Sequence, residues 1–435
     1  MVVVGVLSRR PLTYSYIEHL RWYTLDRRQE LAARREAMGF TQESLAQKLG
    51  VEASTVGRWE RGTLTPQPWR RPRIASELKL SLAELDALLN PSTSGAAPAD
   101  ATISRRDVMR DTALLTGTVL AHRWLPAGTV AEASSDGAAL QGLPSTTAAV
   151  TRLHETYQAA RYAEVAGALS TVADAITALM STSQGQERRQ ALILRCSAAV
   201  VEAKLATKTG DGAAARVAAE RAKAAADDAD DPFGQAAAAY QMTCALLKLD
   251  QAAVAEELAV GAAASMTGDD PRRISWAGAL TLIAAIIAAR RNDLATARGR
   301  LDTAQRLADR LGRDTNIGYT AFGPTNVTIH RMSAAVALDD PYQLLATSER
   351  LDLMRMPTGL RGRRAQFHLD SAWAHTQIDE DALAVLHLLE TDRIAPEIVY
   401  TSRTAHNLIR DLMARERRRD VPGLRELAIR TGVAA

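Results

Sequence analysis

Apolar residues recur at helical spacing along most of the chain, and no stretch alternates apolar and polar positions in a way that predicts a strand. Between Asp26 and Leu89 the pattern breaks into five short segments separated by tight turns. Leu31 and Met38 share one side of the first segment, which stops at Gly39. Thr41 can cap a second, Gln42 to Leu49, with Leu45, Ala46 and Leu49 inward and Gly50 supplying the left-handed turn that ends it. A third runs from Ala53 to Arg61 and stops at Gly62, and Val56 and Trp59, three apart, form its apolar face. Its other face presents Ser54, Gly57, Arg58 and Arg61. Pro72 suits the first position of a fourth segment, and Ser81 with Glu84 makes a capping box for a fifth.

From about residue 148 the helices become longer and are dominated by Ala, Leu, Val and Arg. Each runs into a small or acidic turn before the next begins: "KTGDGAAA" (208–215), "KLDQAAVA" (248–255), "RRNDLATA" (290–297), "ALDDPYQL" (337–344) and "QIDEDALA" (377–384). The spacing is roughly 40 residues, which predicts repeated helical pairs. A pair presents an apolar face too wide to bury alone, so neighbours must stack into a curved right-handed solenoid with a concave surface. The chain therefore reads as all-α in four parts. These are an N-terminal extension (1–25), a small five-helix domain (26–89), a linker with one amphipathic helix (90–147) and a helical-repeat domain (148–435).

Composition narrows the function. The chain of 435 residues is long enough for two or three domains with their own cores, and no apolar run approaches the roughly 20 residues a membrane helix needs. Its two cysteines, Cys196 and Cys244, lie in apolar helical patterns with no CxxC spacing, and read as reduced core residues of a cytoplasmic protein. Residues 1–90 carry 14 Lys and Arg against 10 Asp and Glu, whereas the remainder carries 39 against 40. The excess positive charge therefore sits in the N-terminal part, where it could meet phosphate. Only 6 of the 53 basic residues are lysine, so arginine abundance is a feature of the whole chain and position has to decide. No P-loop, nucleophile elbow or Cys/His arrangement occurs, and His368 and His375, seven apart near Asp370 and Asp379, lack metal-ligand spacing. We expect no enzymatic activity, no metal and no cofactor.

"FTQESLAQKLGV", "STVGRWERG" and "RPRIASELKLSLAEL" together resemble the Cro/phage-repressor (XRE) family of helix-turn-helix DNA-binding proteins. The resemblance implies a five-helix Cro/C1-type domain whose third helix enters the major groove of double-stranded DNA. It implies a phosphate contact from Gln42, base-edge contacts from Ala53, Ser54 and Arg58, and backbone contacts from Thr55 and Arg61. It also implies an internal ion pair between Arg35 and Glu60 that locks the first helix to the third. Four positions depart from the family: Glu52 at the N-cap, Ser44 for a glutamate, Lys79 for a glycine and Gly57 inside the recognition helix. A missing side chain at Gly57 would let that helix seat deeper on DNA.

The C-terminal region resembles a degenerate tetratricopeptide array, a tetratricopeptide-like α-solenoid. "FGPTNVTIHR" and "IAPEIVYTSR" resemble the sensor halves of actinobacterial regulators that join this helix-turn-helix to helical repeats. The least helical stretch, "DTNIGYTAFGPTNVTIHR" (314–331), gathers Asn316, Tyr319, Phe322, Asn326 and His330, which read either as an inter-repeat loop or as a ligand-contacting loop. Arg361, Arg363 and Arg364 read as a solvated face or an anion-binding patch. Ser104, Arg105 and Arg106 before a short apolar stretch resemble a twin-arginine export signal, but their position after a DNA-binding module favours an amphipathic inter-domain helix. The expectation is a cytoplasmic, homodimeric transcription regulator on a two-fold operator, with no membrane partner. Its repeats would sense a peptide, small molecule or protein. The alternative is a repeat scaffold for a toxin or sigma-factor system, with DNA binding serving autoregulation.

Overall fold

The computed structural model describes residues 30–51, 53–61, 66–67, 70–89, 140–415 and 421–433. They fall into two units, one within residues 1–103 and one within 104–435. The extension at 1–25, the twin-arginine-like segment at 103–121, Glu52, Gly62 and the side chain of Ser54 lie outside the described residues. Every regular element among those described is helical.

In the first unit, α1 (30–37), α2 (Gln42–Leu49), α3 (Ala53–Arg61), α4 (Arg71–Leu78) and α5 (Leu82–Leu89) are each about two turns long. Helices this short are marginal alone, so caps and a shared core must hold them. Thr41 Oγ1 accepts from Ser44 N at 3.1 Å, and Ser44 Oγ accepts from Thr41 N at 2.8 Å. Ser44 thus completes a capping box that a glutamate usually closes. Gly50 ends α2 at φ +66°, and Lys79 ends α4 in the left-handed region at φ +50°, where glycine would be less strained. Leu31, Leu45, Val56, Trp59, Ile74 and Leu85 meet in one core, to which all five helices contribute.

The second unit is a run of helical hairpins. The pairs are α6 (Gly142–Gln158) with α7 (Tyr162–Thr182), α8 (Gly185–Thr209) with α9 (Gly212–Asp228), and α10 (Pro232–Lys248) with α11 (Ala252–Ser265). Next come α12 (Pro271–Arg290) with α13 (Leu294–Leu311), α14 (Pro324–Ala337) with α15 (Pro341–Ser348), and α16 (Arg361–Gln377) with α17 (Asp381–Ile394). A short α18 (Pro396–Thr401) leads to α19 (Arg403–Arg415) and α20 (Leu424–Arg430). The array begins at Gly142, inside the segment whose small-residue composition read as linker, with Pro144 in the first turn of its opening helix.

Within the first six pairs one left-handed residue makes the turn: Ala160, Gly210, Asp250, Asn292, Asp339 or Asp379. The residue after it often caps the second helix, as Asp211, Asp293 and Asp340 do. Alanine dominates the contacts between helices, with Ala215, Ala218, Ala222 and Ala245 fully buried. Small side chains there let the axes approach closely. The alanine content also raises mean hydropathy enough that α7 and α12 reach the length and apolarity of a membrane span, which the sequence reading did not anticipate. Of the α12 window 78% is buried in the array, and α7 buries a stripe from Tyr162 to Leu179.

The odd member of each pair lies outside. The inner helices α6, α8, α10, α12, α14 and α16 contact one another in order, and α16 returns to contact α6. The concave surface expected of the array is thus bounded by a ring that closes where α16 meets α6. Ala365, Ala395 and Ile398 join the core of the first pair, and Ala163 N donates to Glu397 Oε2 at 2.9 Å.

Candidate functional sites

The α2–turn–α3 unit is held by a buried charge network. Arg35 Nε donates to Glu60 Oε1 at 2.6 Å, and both side chains are under a tenth exposed. Arg35 Nη1 also donates to the Phe40 carbonyl at 2.7 Å, and hydrogen bonding to Glu60 raises the guanidinium above its ordinary pKa. Gln42 Nε2 donates to the second carboxylate oxygen of Glu60 at 2.7 Å. One buried carboxylate on α3 thereby fixes α1 and the start of α2. Other arginines of this unit are structural too. Arg34 donates to the carbonyls of Leu78 and Lys79 at the end of α4, and Arg71 pairs with Asp86 at 2.8 Å. The positive excess is thus partly spent inside the domain.

The six proposed DNA contacts, Gln42 on α2 and five on α3, separate. Arg61 is exposed and Arg58 half-buried, with its Nη2 at 3.4 Å from Thr55 Oγ1. Ala53 is half-buried and packs on the core. Thr55 is 3% exposed, so its hydroxyl is not among the groups offered to solvent, a change from the backbone-contact role that its helical position suggested. Gly57 is also buried. A Cβ there would lie 3.0 Å from Arg61 Nη1 and 3.1 Å from Gln42 Oε1. The glycine makes room for the Arg61 guanidinium and the Gln42 amide to lie across α3, a local reason that the sequence did not reveal.

The loop at 312–323 in the second unit is tightly built. Asn316 and Gln158 exchange two amide hydrogen bonds at 2.8 and 2.9 Å, and Asp314 caps α14 through Thr325. Gly318, Tyr319 and Ala321 all have left-handed φ, and Tyr319 stacks on His154 with ring centroids 3.9 Å apart. Phe322 is fully buried against Gly278, where an added Cβ would fall 2.0 Å from its ring.

Beside this loop the inner helices enclose a cavity of about 350 Å³. Of the five residues read as ligand contacts, Tyr319 lines it and Asn316 positions Gln158, which also lines it. Phe322, Asn326 and His330 are buried in the packing and are not part of the wall. His330 Nδ1 is 2.8 Å from the Asn326 carbonyl, and burial lowers its pKa to about 3. Of the three arginines at the start of α16, Arg363 enters the wall, Arg364 donates to the Met356 carbonyl and Arg361 is exposed. The sequence reading missed the wall residues Lys204, Lys208, Lys248, Arg290, Tyr240 and Trp276. Lys208, Lys248 and Arg290 each stand two residues before a left-handed turn residue, and that shared register was the available signal.

His368, His375 and His387 cluster between α16 and α17, with Nδ1 atoms of His368 and His387 3.0 Å apart. Cys196 and Cys244 are both free thiols, and burial raises them to about 12 and about 11.

A family described as Helix-turn-helix matches residues 31–85, from α1 into α5. No curated protein and no solved structure matches the chain. The chain thus carries a helix-turn-helix domain of Cro/C1 type, in a class that binds double-stranded DNA.

Proposed function

We propose that this chain is a cytoplasmic transcription regulator that binds a two-fold DNA site as a homodimer, reading sequence with α3 while its tetratricopeptide-like array senses a ligand. The observation that carries the reading is the α2–turn–α3 unit, pinned by Arg35–Glu60 and leaving Arg58 and Arg61 toward the surface, within a matched helix-turn-helix segment. Gln42, Ala53, Ser54, Arg58 and Arg61 are the proposed contacts. Arg58 can grip a guanine edge bidentately, and Arg61 and Gln42 can hold phosphates. One module of this size makes too small an interface for specific binding, which favours two copies on a palindromic site. The cavity between the inner helices favours ligand sensing over the scaffold reading, because its volume of about 350 Å³ suits a small molecule.

Selection from a randomised duplex pool with the full chain tests this. The expected result is enrichment of an inverted repeat with half-sites about one helical turn, roughly 34–36 Å, apart. A bound pool with the composition of the input would overturn the reading.

A further inference from the structure

Five cations line the cavity of the second unit: Lys204, Lys208, Lys248, Arg290 and Arg363, and no aspartate or glutamate is among its lining residues. Among the described residues no carboxylate lies within ion-pair distance of Lys204, Lys208, Lys248 or Arg363. The chain has only six lysines against 47 arginines, and three of the six are here. Asp370, an acid whose charge reaches Lys208, is already committed to Ser333 Oγ at 2.6 Å and Gln366 Nε2 at 2.7 Å. Burial by the surrounding helices, reinforced by the Arg363 charge, pulls the half-buried Lys204 down to about 8. Like charges held together in a partly desolvated wall are unfavourable unless something neutralises them.

The repeat explains how they come together. Lys208, Lys248 and Arg290 occupy the same place in three successive hairpins, two residues before Gly210, Asp250 and Asn292. Stacking the hairpins turns that register into a row of cations. Helix C-termini favour a cation, but a side chain pointing to bulk water would serve that need equally. Here all three, each still more than a third exposed, line one shared and partly open cavity.

The remaining wall is aromatic and partly apolar. Tyr240 and Trp276 meet edge to face at 6.5 Å, and Tyr157 lies beneath Lys204 Nζ at 5.7 Å from its ring centre. Gln241 is 2% exposed, and its amide nitrogen has no hydrogen-bond partner.

We propose that this cavity binds a small organic polyanion carrying a planar ring, of the nucleotide or aromatic-phosphate kind. Lys204, Lys208, Lys248, Arg290 and Arg363 would neutralise its charges, the aromatic wall would stack its ring, and Gln241 would supply a donor. The volume suits a small molecule of that size. The proposal deepens the sensor reading above by naming the ligand class. Its test reads cavity occupancy without DNA, so it can fail while DNA binding stands.

Calorimetry and thermal unfolding of the full chain, in EDTA and phosphate-free buffer, test it with ADP, pyrophosphate and adenosine as probes. The variant is Lys204→Met/Lys208→Met/Lys248→Met, and the control is Arg216→Gln/Arg221→Gln/Lys223→Gln on α9. The wild type and control should bind ADP and melt higher with it, and adenosine should bind far more weakly. The cavity variant should lose at least about tenfold in ADP affinity. Without probe it should melt above the wild type, because uncompensated charge has been removed. Should the triple variant fail to fold, Lys248→Met alone serves the same comparison. An equal response to ADP in wild type and cavity variant, or no binding of ADP or pyrophosphate at millimolar concentration, would overturn the proposal. Pyrophosphate binding as tightly as ADP would remove the planar ring from it.

Discussion

Gln158 and Asn316 pair their side-chain amides reciprocally across 158 residues of chain, at 2.9 and 2.8 Å. The pair joins the end of α6 to the loop before α14, and the same loop packs on α12 through Gly318 against Trp276 and Phe322 against Gly278. Gln158 Nε2 also reaches the Tyr319 carbonyl at 3.2 Å, and Asn316 Oδ1 accepts from Ala321 N at 3.3 Å. One amide pair therefore supports the left-handed backbone that presents Tyr319 to the cavity.

Asn316→Ala should loosen that closure. Leaving the Gln158 amide unpaired costs about 1–3 kcal/mol. Hydrogen exchange should rise first in peptides covering 312–323, with the outer helices unchanged. Uniform exchange throughout the array would show that the pair does not hold the loop.

Arg35→Ala should destabilise the first unit by about 3–5 kcal/mol, because it strands a buried carboxylate. Glu60 would keep only Gln42, and the Phe40 carbonyl would lose its donor. Loss of exchange protection across α2 and α3 in the full chain is the readout. Protection equal to wild type would mean that water reaches Glu60 readily.

Gly57→Ala separates fold from recognition. The new methyl meets only the mobile ends of Arg61 and Gln42, and alanine gains up to about 1 kcal/mol over glycine in a helix. The domain should melt at or above the wild-type temperature while its DNA affinity falls, since both displaced groups are proposed phosphate contacts. Unchanged DNA binding would remove them from the interface.

The histidine cluster sets an acid limit on the array. Burial, then the neighbouring His368 and His375, lowers His387 to about 4, and burial lowers His368. Glu390 acts in the opposite direction, and Arg393 beside it opposes protonation of His368. In the unfolded chain His387 titrates near its ordinary value, so between about 6.5 and 4 the unfolded state holds more protons. Stability is full above that window and falls as pH drops through it, by roughly 2–3 kcal/mol for His387. His387→Gln should flatten the slope of denaturation midpoint against pH between those values. An unaltered slope would place the titration elsewhere.

How far the sequence anticipated this structure depends on the range of each interaction. The turn strings at Gly210, Asp250, Asn292, Asp339 and Asp379 were legible because one left-handed residue and a following cap are local requirements. Val56 and Trp59 were legible as core because three-residue spacing defines one helix face. The burial of Thr55 and Gly57 was not, because it depends on Gln42, Arg58 and Arg61 folding back over α3. The cavity was hidden because its wall draws single residues from helices about 40 positions apart, and ring closure depends on contacts between α6 and α16. Asn326 and His330 looked available because polar groups near a loop suggest a site, yet α14 turns them into its packed side.

Sequence-specific reading of DNA by α3 is the central claim, and Arg58→Ala tests it most directly. Fluorescence anisotropy should compare a selected duplex with a scrambled duplex of equal length, at one salt concentration. The wild type should prefer the selected duplex by about a thousandfold or more. Arg58→Ala should cut that preference by about 1–3 kcal/mol, roughly five- to 150-fold, with the melting temperature held. Equal wild-type affinity for both duplexes, or full preference in Arg58→Ala, would contradict the account.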